Sequence, residues 1–247
     1  MLRCFCSCCF RKENSINERQ PLLQSCPPQP NGPESARRIR AVNNEVQPTG
    51  RLMMKRVCIR ELDLRFSDVA ETFNELQERY EAIVRHVGNL HRNCGFAQND
   101  RLLLSECIGK ISEEHRETYK VSLKMKGYDF SLSVVPVNPN PADNNSTVPP
   151  ALQLAQEDIK CASDNTKAAI SKGTTLQEMI GWLLRSKVKI AEQVEKVAET
   201  YQERGRLDEN LEKNMKEVRR AKELSIKYRE QAGEVLKEAA QISGTLL

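Results

Sequence analysis

Apolar residues recur in helical steps along much of this chain. Phe66, Val69, Phe73, Leu76, Tyr80, Ile83, Val87, Leu90 and Cys94 follow at intervals of three and four, and their neighbours are mostly Glu, Arg, Asn and Gln. That narrow seam predicts an amphipathic helix of the coiled-coil or bundle kind. Asn93-Cys94-Gly95 predicts its end, because glycine tolerates the left-handed conformation past a helix terminus. A second helix is expected from about Asp100 to Lys126, with Leu104, Ile108, Ile111, His115 and Tyr119 near one stripe. The short link between the two helices implies that they fold back antiparallel.

Gly127 stops the second helix. Tyr128, Phe130, Leu132 and Val134 then alternate with polar residues, which is strand-like. With no second strand expected, this segment reads as an extended strap along the helices. Residues 136–150, with five prolines among Asn, Asp and Ser, read as a linker.

Beyond the linker the helical pattern resumes. Leu152, Ala155, Ile159 and Ala162 start one stripe, and Leu176, Ile180, Leu183, Ile190, Val194, Val197 and Tyr201 continue it, with Lys187 interrupting. A break is expected at Gly173-Thr174-Thr175, where either threonine is a candidate cap. Gly205 and Asp208 disturb the phase, and Val218, Ala221, Ser225, Tyr228, Ala232, Val235, Ala239, Ile242 and Leu246 restore it.

Residues 11–50 differ in kind. They are rich in Pro, Asn, Gln, Ser and Arg and poor in large apolar groups, so burial cannot offset the entropy of ordering them. This predicts a disordered tether. Order is expected to begin between Arg51 and Leu62, where Leu52, Met53, Met54, Val57 and Ile59 supply apolar contacts. The predicted fold class is all-α: an elongated helical bundle of antiparallel coiled coils behind a disordered N-terminal arm. The expected divisions are an arm over 1–50, a helical hairpin with an extended strap over 51–135, the linker over 136–150 and a long-helix coiled-coil region over 151–247.

Composition supports that class. Aromatic residues make up 5% of the 247 positions and charged residues 29%, with Trp182 the single tryptophan, a profile closer to a helical assembly protein than to an enzyme with a large aromatic core. Residues 1–60 hold eleven Lys/Arg against four Asp/Glu, a balance of +7, and the remainder holds 27 against 30, a balance of −3. A basic arm therefore precedes a nearly neutral body, which disfavours nucleic-acid binding by the body.

The arm also carries the densest chemistry. Cys4, Cys6, Cys8 and Cys9 lie between Arg3 and Arg11-Lys12. Thiols beside basic and apolar neighbours at a membrane surface are S-acylation targets, and two anchoring signals hold a chain stably on a bilayer. With Leu2 after Met1, N-myristoylation is not expected, and with no cysteine in Gly244-Thr245-Leu246-Leu247 neither is prenylation. Two other readings compete: a soft-metal site built on Cys-x-Cys-x-Cys-Cys, and an unmodified tail. No second Cys or His cluster closes a zinc site of usual spacing.

Downstream, Glu18-Arg19-Gln20-Pro21-Leu22-Leu23 matches the acidic dileucine pattern. An extended peptide of this kind sets a carboxylate (Glu18) near a basic patch and two leucines (Leu22 and Leu23) in an apolar pocket, and Pro21 lowers the ordering cost. A chance match is the competing reading. Arg37-Arg38-Ile39-Arg40 is a further candidate contact for anionic headgroups, with a solvated linker as its alternative.

Residues 4–23 resemble the anchoring arms of acylated, dileucine-bearing proteins of late endosomes and lysosomes. The palmitoylated scaffold subunit of the Ragulator complex is similar in design, although it begins with a myristoylatable glycine. The type II phosphatidylinositol 4-kinases also join a cysteine palmitoylation patch to such a signal. The resemblance covers about a tenth of the chain and implies location and adaptor binding only; the rest resembles neither.

Little points to catalysis. His86, His91 and His115 are spaced too unevenly to share one helix face, and His91 with Cys94 reads as a packed pair in the apolar seam. Glu113-Glu114 and Asp208-Glu209 read as solvated helix faces. Gly-rich nucleotide loops and nucleophile elbows are absent from the sequence. Nine cysteines without small-domain spacing argue against a disulfide scaffold, and no run approaches the ~18 apolar residues of a spanning helix. Asn144 and Asn145 each begin a glycosylation sequon, expected to be idle in a cytosolic chain.

The expectation is a non-enzymatic, membrane-tethered helical scaffold or adaptor without cofactors, on the cytosolic face of endosomal, lysosomal or Golgi-derived membranes. Its expected partners are the membrane, a clathrin-adaptor complex, and a helical protein or a second copy of itself. The alternative is a soluble coiled-coil subunit of a cytoskeletal or vesicle-tethering complex.

Overall fold

The computed structural model describes residues 50–96, 103–138 and 148–245. The chain separates into two units, 1–47 and 48–247, and the described residues all belong to the second. Helix makes up 75% of them. The order is α1 (Arg60–Asn93), α2 (Leu104–Glu114), β1 (Tyr119–Lys126), β2 (Asp129–Pro136), α3 (Pro150–Arg185), α4 (Lys187–Val197) and α5 (Tyr201–Ser243).

The seam expected on α1 is the face the helix buries. Phe66, Val69, Phe73, Leu76, Ile83, Val87, Leu90 and Cys94 are buried, while Tyr80 is half-buried and stacks on Tyr228 of α5 with ring centroids 4.4 Å apart. Gly95, at φ +70°, closes the helix: its N–H donates to Arg92 O at 2.9 Å, and the Phe96 N–H donates to His91 O at 3.0 Å. This paired arrangement satisfies the terminal carbonyls.

Side-chain contacts set the helix directions. Arg65 lies over Trp182 at 4.1 Å, Glu75 pairs with Lys172, Arg79 bonds Asn165 at 3.3 Å and His86 meets Asp158 at 2.8 Å. As α1 advances its α3 partners recede, so the two helices run antiparallel. Gln177 of α3 donates to Ser225 of α5 at 2.8 Å, and Gly173 of α3 lies against Arg229, so α5 reverses direction again.

Four expectations are corrected here. The helix expected over 100–126 ends at Glu114, and Tyr119–Lys126 is instead a strand. Val121 and Leu123 are buried and alternate with exposed Lys120, Lys124 and Lys126, so a period of two wins over the helical stripe. The strand-like segment after Gly127 is not a lone strap. It is β2, paired antiparallel with β1 from Tyr119↔Pro136 to Lys126↔Asp129. Gly127, at φ +61°, takes the first central position of the two-residue turn, where only glycine fits readily. Phe130 and Leu132 then face the helices from a buried position, and the Phe130 N–H donates to Ser163 Oγ of α3 at 2.8 Å.

The other two corrections concern the long helices. Gly173-Thr174-Thr175 does not break α3; the two hydroxyls bond back to Ile170 O at 3.1 Å and Ser171 O at 3.4 Å instead of capping a new helix. The buried phase runs on through Leu152, Ala155, Ile159, Ala162, Thr166, Ala169, Gly173, Leu176, Ile180 and Leu183. The interruption falls at Ser186, and even there the Ile190 N–H reaches Ser186 O at 2.9 Å. The real break is at 198–200, and it leaves Val197 and Tyr201, both expected in the seam, exposed. Thr200 caps α5 by accepting the Glu203 N–H at 3.1 Å, and Glu203 reaches back to the Glu199 N–H at 3.2 Å. Gly205 and Asp208 leave α5 unbroken, with Leu207, Leu211, Asn214 and Val218 on its buried side.

Candidate functional site

The residues singled out as anchor and sorting signal, Cys4, Cys6, Cys8, Cys9, Glu18, Leu22 and Leu23, lie outside the described residues, as do Arg37–Arg40 and the Asn144 and Asn145 sequons. From Gly50 an extended strap, residues 50–59, lies between α1 and α5.

Asparagine side chains hold this strap. Asn74 of α1 accepts the Leu52 N–H through Oδ1 at 2.7 Å and donates through Nδ2 to Leu52 O at 3.1 Å. Asn214 of α5 does the same to Lys55, at 2.7 Å in both bonds. Each amide thus imitates the partner residue of an antiparallel strand, which exchanges both bonds with the residue opposite. Asn210 Nδ2 adds a bond to Arg56 O at 2.9 Å, and Asp63 accepts the Val57 N–H at 2.7 Å. Leu52 and Val57 are buried beneath these bonds, whereas Met53 stays 76% exposed. The apolar contribution expected of this segment therefore comes from Leu52 and Val57, with Met54 and Ile59 packed at the margin.

Sequence reasoning missed this clamp. Its one local signal is Asn214, a polar residue in step with Leu207, Leu211 and Val218 on a buried helix face.

An open groove of about 740 Å³ runs between the strap and the start of α1. Leu52 and Ala70 form its apolar floor, Met53 and Leu64 stand exposed at its sides, and Lys55, Arg56 and Arg60 face it along with Asp63 and Glu71. Cys58 sits at its edge with φ +60°, an uncommon conformation for a residue with a side chain.

Several other polar groups engage one another within the fold. Asp158 is buried and receives His86 Nδ1 at 2.8 Å and Asn89 Nδ2 at 3.2 Å on one oxygen. His91 and Cys94 are both buried at the end of the α1 seam, and His91 Nε2 lies 2.6 Å from Leu103 O. Cys94 turns to Cys107 O at 3.8 Å. Burial pushes the Cys94 thiol up, and burial together with the neighbouring Cys94 pushes Cys107 up to about 12. Thiols held protonated in this way are poor nucleophiles. Glu113 pairs with Arg116 at 3.0 Å and Glu209 with Lys213 at 2.7 Å, a contact that lowers the Glu209 carboxyl below its ordinary range. Among the described residues no three His, Cys, Asp or Glu side chains converge as a metal cage, and no described helix is long and apolar enough to cross a membrane.

No protein-family model, curated protein or solved structure matches this chain.

Proposed function

We propose that this protein is a non-enzymatic, membrane-tethered scaffold on the cytosolic face of endosomal, lysosomal or Golgi-derived membranes. One observation carries the reading: four cysteines at Cys4, Cys6, Cys8 and Cys9 beside basic residues, followed closely by Glu18-Arg19-Gln20-Pro21-Leu22-Leu23. Acyl chains on the cysteines anchor the arm, each buried methylene contributing about 0.8 kcal/mol. Glu18, Leu22 and Leu23 are read by a clathrin-adaptor complex. C-terminal to the arm in sequence, α1, α3 and α5 act as one antiparallel bundle whose exposed faces engage a helical partner or a second copy of the chain.

The test is imaging and membrane fractionation of the tagged full chain. Replacing Cys4, Cys6, Cys8 and Cys9 by serine is expected to release the protein to the soluble fraction. Retention equal to the unaltered chain refutes the anchor. Leu22→Ala with Leu23→Ala is expected to leave the protein membrane-bound but move it from endosomal compartments to the plasma membrane; an unchanged distribution assigns the dileucine match to chance.

A further inference from the structure

The hairpin turns one face to the helices and the other to solvent. On β1, Val121 and Leu123 are buried and Met125 is half-buried, so Lys120, Ser122, Lys124 and Lys126 occupy the outer face. The register places Val135 opposite Lys120, Ser133 opposite Ser122, Ser131 opposite Lys124 and Asp129 opposite Lys126. One further bond, Val137 N–H to Thr118 O at 3.0 Å, extends the ladder and brings Val137 to the same side. The single carboxylate on this face, Asp129, is already held at 2.8 Å by Lys167 of α3. Lys120, Lys124 and Lys126 meet no carboxylate among the described residues. Residues 61–247 together carry 27 basic against 30 acidic groups, so this face is a local excess of positive charge.

We propose that this outer face of the hairpin docks on a bilayer rich in anionic lipid headgroups. Alternate residues of a strand lie about 6.7 Å apart, so the three lysines are spread along roughly 20 Å of the outer face. That spacing suits a plane of many headgroups better than a single small anion. Lysine is a flexible, strongly hydrated point charge without the planar fork that fixes carboxylates in protein contacts, and it is depleted in the cores of protein interfaces. The apolar residues beside it fit the same occupant. Tyr128 at the turn is 57% exposed, Val135 48% and Val137 48%. An amphipathic ring and two aliphatic groups next to lysines are what the headgroup boundary of a bilayer accommodates.

The contact is electrostatic and independent of acyl chains, so it is tested on the unacylated full chain. The probes are vesicles of phosphatidylcholine alone and vesicles with roughly 30% phosphatidylserine, at about 0.1 M salt, where screening still permits surface attraction. Two variants remove equal charge: K120Q/K124Q/K126Q on the hairpin, and K216Q/K222Q/K227Q at exposed positions of α5. Circular dichroism confirms that both keep their helix content. The unaltered chain is expected to bind the phosphatidylserine vesicles selectively. The hairpin variant should lose roughly tenfold or more of that partitioning, since each surface charge matters severalfold, while the α5 variant should stay within about twofold. Equal loss in both variants, a hairpin variant that binds like the unaltered chain, or binding without dependence on phosphatidylserine overturns the proposal. Capture of polyglutamate by the unaltered chain with no vesicle binding also overturns it and assigns the face to an acidic protein. None of these outcomes depends on acylation, so this proposal and the anchor at Cys4–Cys9 fail separately.

Discussion

Asn214 holds Lys55, 159 residues away in sequence, by both of its backbone groups, accepting the N–H and donating to the carbonyl at 2.7 Å each. The Asn214 side chain is 1% exposed, so its amide has no solvent to fall back on. Asn214→Leu removes both bonds and is expected to cost about 2 kcal/mol in urea unfolding, since each net hydrogen bond contributes near 1 kcal/mol. The strap should also loosen locally. Faster trypsin cleavage after Lys55 and Arg56 is the specific readout, and a cleavage rate equal to that of the unaltered protein would show that Asn214 does not secure the strap.

Thr166 invites the opposite result. It is fully buried in the α3 seam, and its hydroxyl finds no partner among the described residues. Burying an unpaired hydroxyl costs on the order of 1–3 kcal/mol, and valine fills nearly the same volume without it. Thr166→Val is therefore expected to raise the unfolding free energy by about 1 kcal/mol, whereas Thr166→Ser should lower it by emptying the methyl site. A Val variant less stable than the Ser variant would contradict this reading of the hydroxyl.

The long seams were legible because their information is local. From Phe66 to Cys94 every step of three or four returns the chain to the same face, and burial follows. The alternation of Phe130, Leu132 and Val134 made β2 legible as a strand, but its partner was not, because Leu104, Ile108, Ile111, His115 and Tyr119 continue a helical stripe into what becomes β1. Val121, Leu123 and Met125 carry the competing period of two, and pairing with residues 129–136 decides between them. The Asn74 and Asn214 clamp was hidden for a related reason: their partners lie 22 and 159 positions away, beyond any motif. Cys4–Cys9 and Glu18–Leu23 stand out in the sequence because their chemistry is that of short, contiguous segments.

Gly173 was expected to end a helix and instead permits a close approach. A β-carbon built there would lie 3.2 Å from Arg229 Cδ and 3.3 Å from its Cγ. Alanine in a helix interior gains up to about 1 kcal/mol over glycine, but here the arginine stem must shift to admit it. Gly173→Ala alone is expected to be near neutral. In an Arg229→Ala background the same change should stabilise by about 0.5–1 kcal/mol, and a double-mutant cycle on thermal unfolding measures the coupling. Equal effects in both backgrounds would remove the steric explanation.

Cys107 ties stability to alkaline pH. Burial, then the neighbouring Cys94, and then the charges of Glu106 and Glu238 raise its thiol from 9.0 to about 12. Above pH 9 the unfolded chain releases this proton while the folded one keeps it until about pH 12, so folding becomes less favourable as pH rises through that window. The contribution is fully present below pH 9 and falls by at most roughly 1.4 kcal/mol per pH unit within the window. Cys107→Ala lacks the group and carries a cost of lost packing that does not titrate. Because Cys94 touches Cys107 and its thiol is raised as well, the comparison is made in a Cys94→Ala background. There the stability gap between the chain with Cys107 and Cys107→Ala should narrow by about 1 kcal/mol between pH 8 and pH 10, the more distant titrations cancelling in the difference. A gap constant across that range would mean that the folded thiol ionises as readily as the unfolded one.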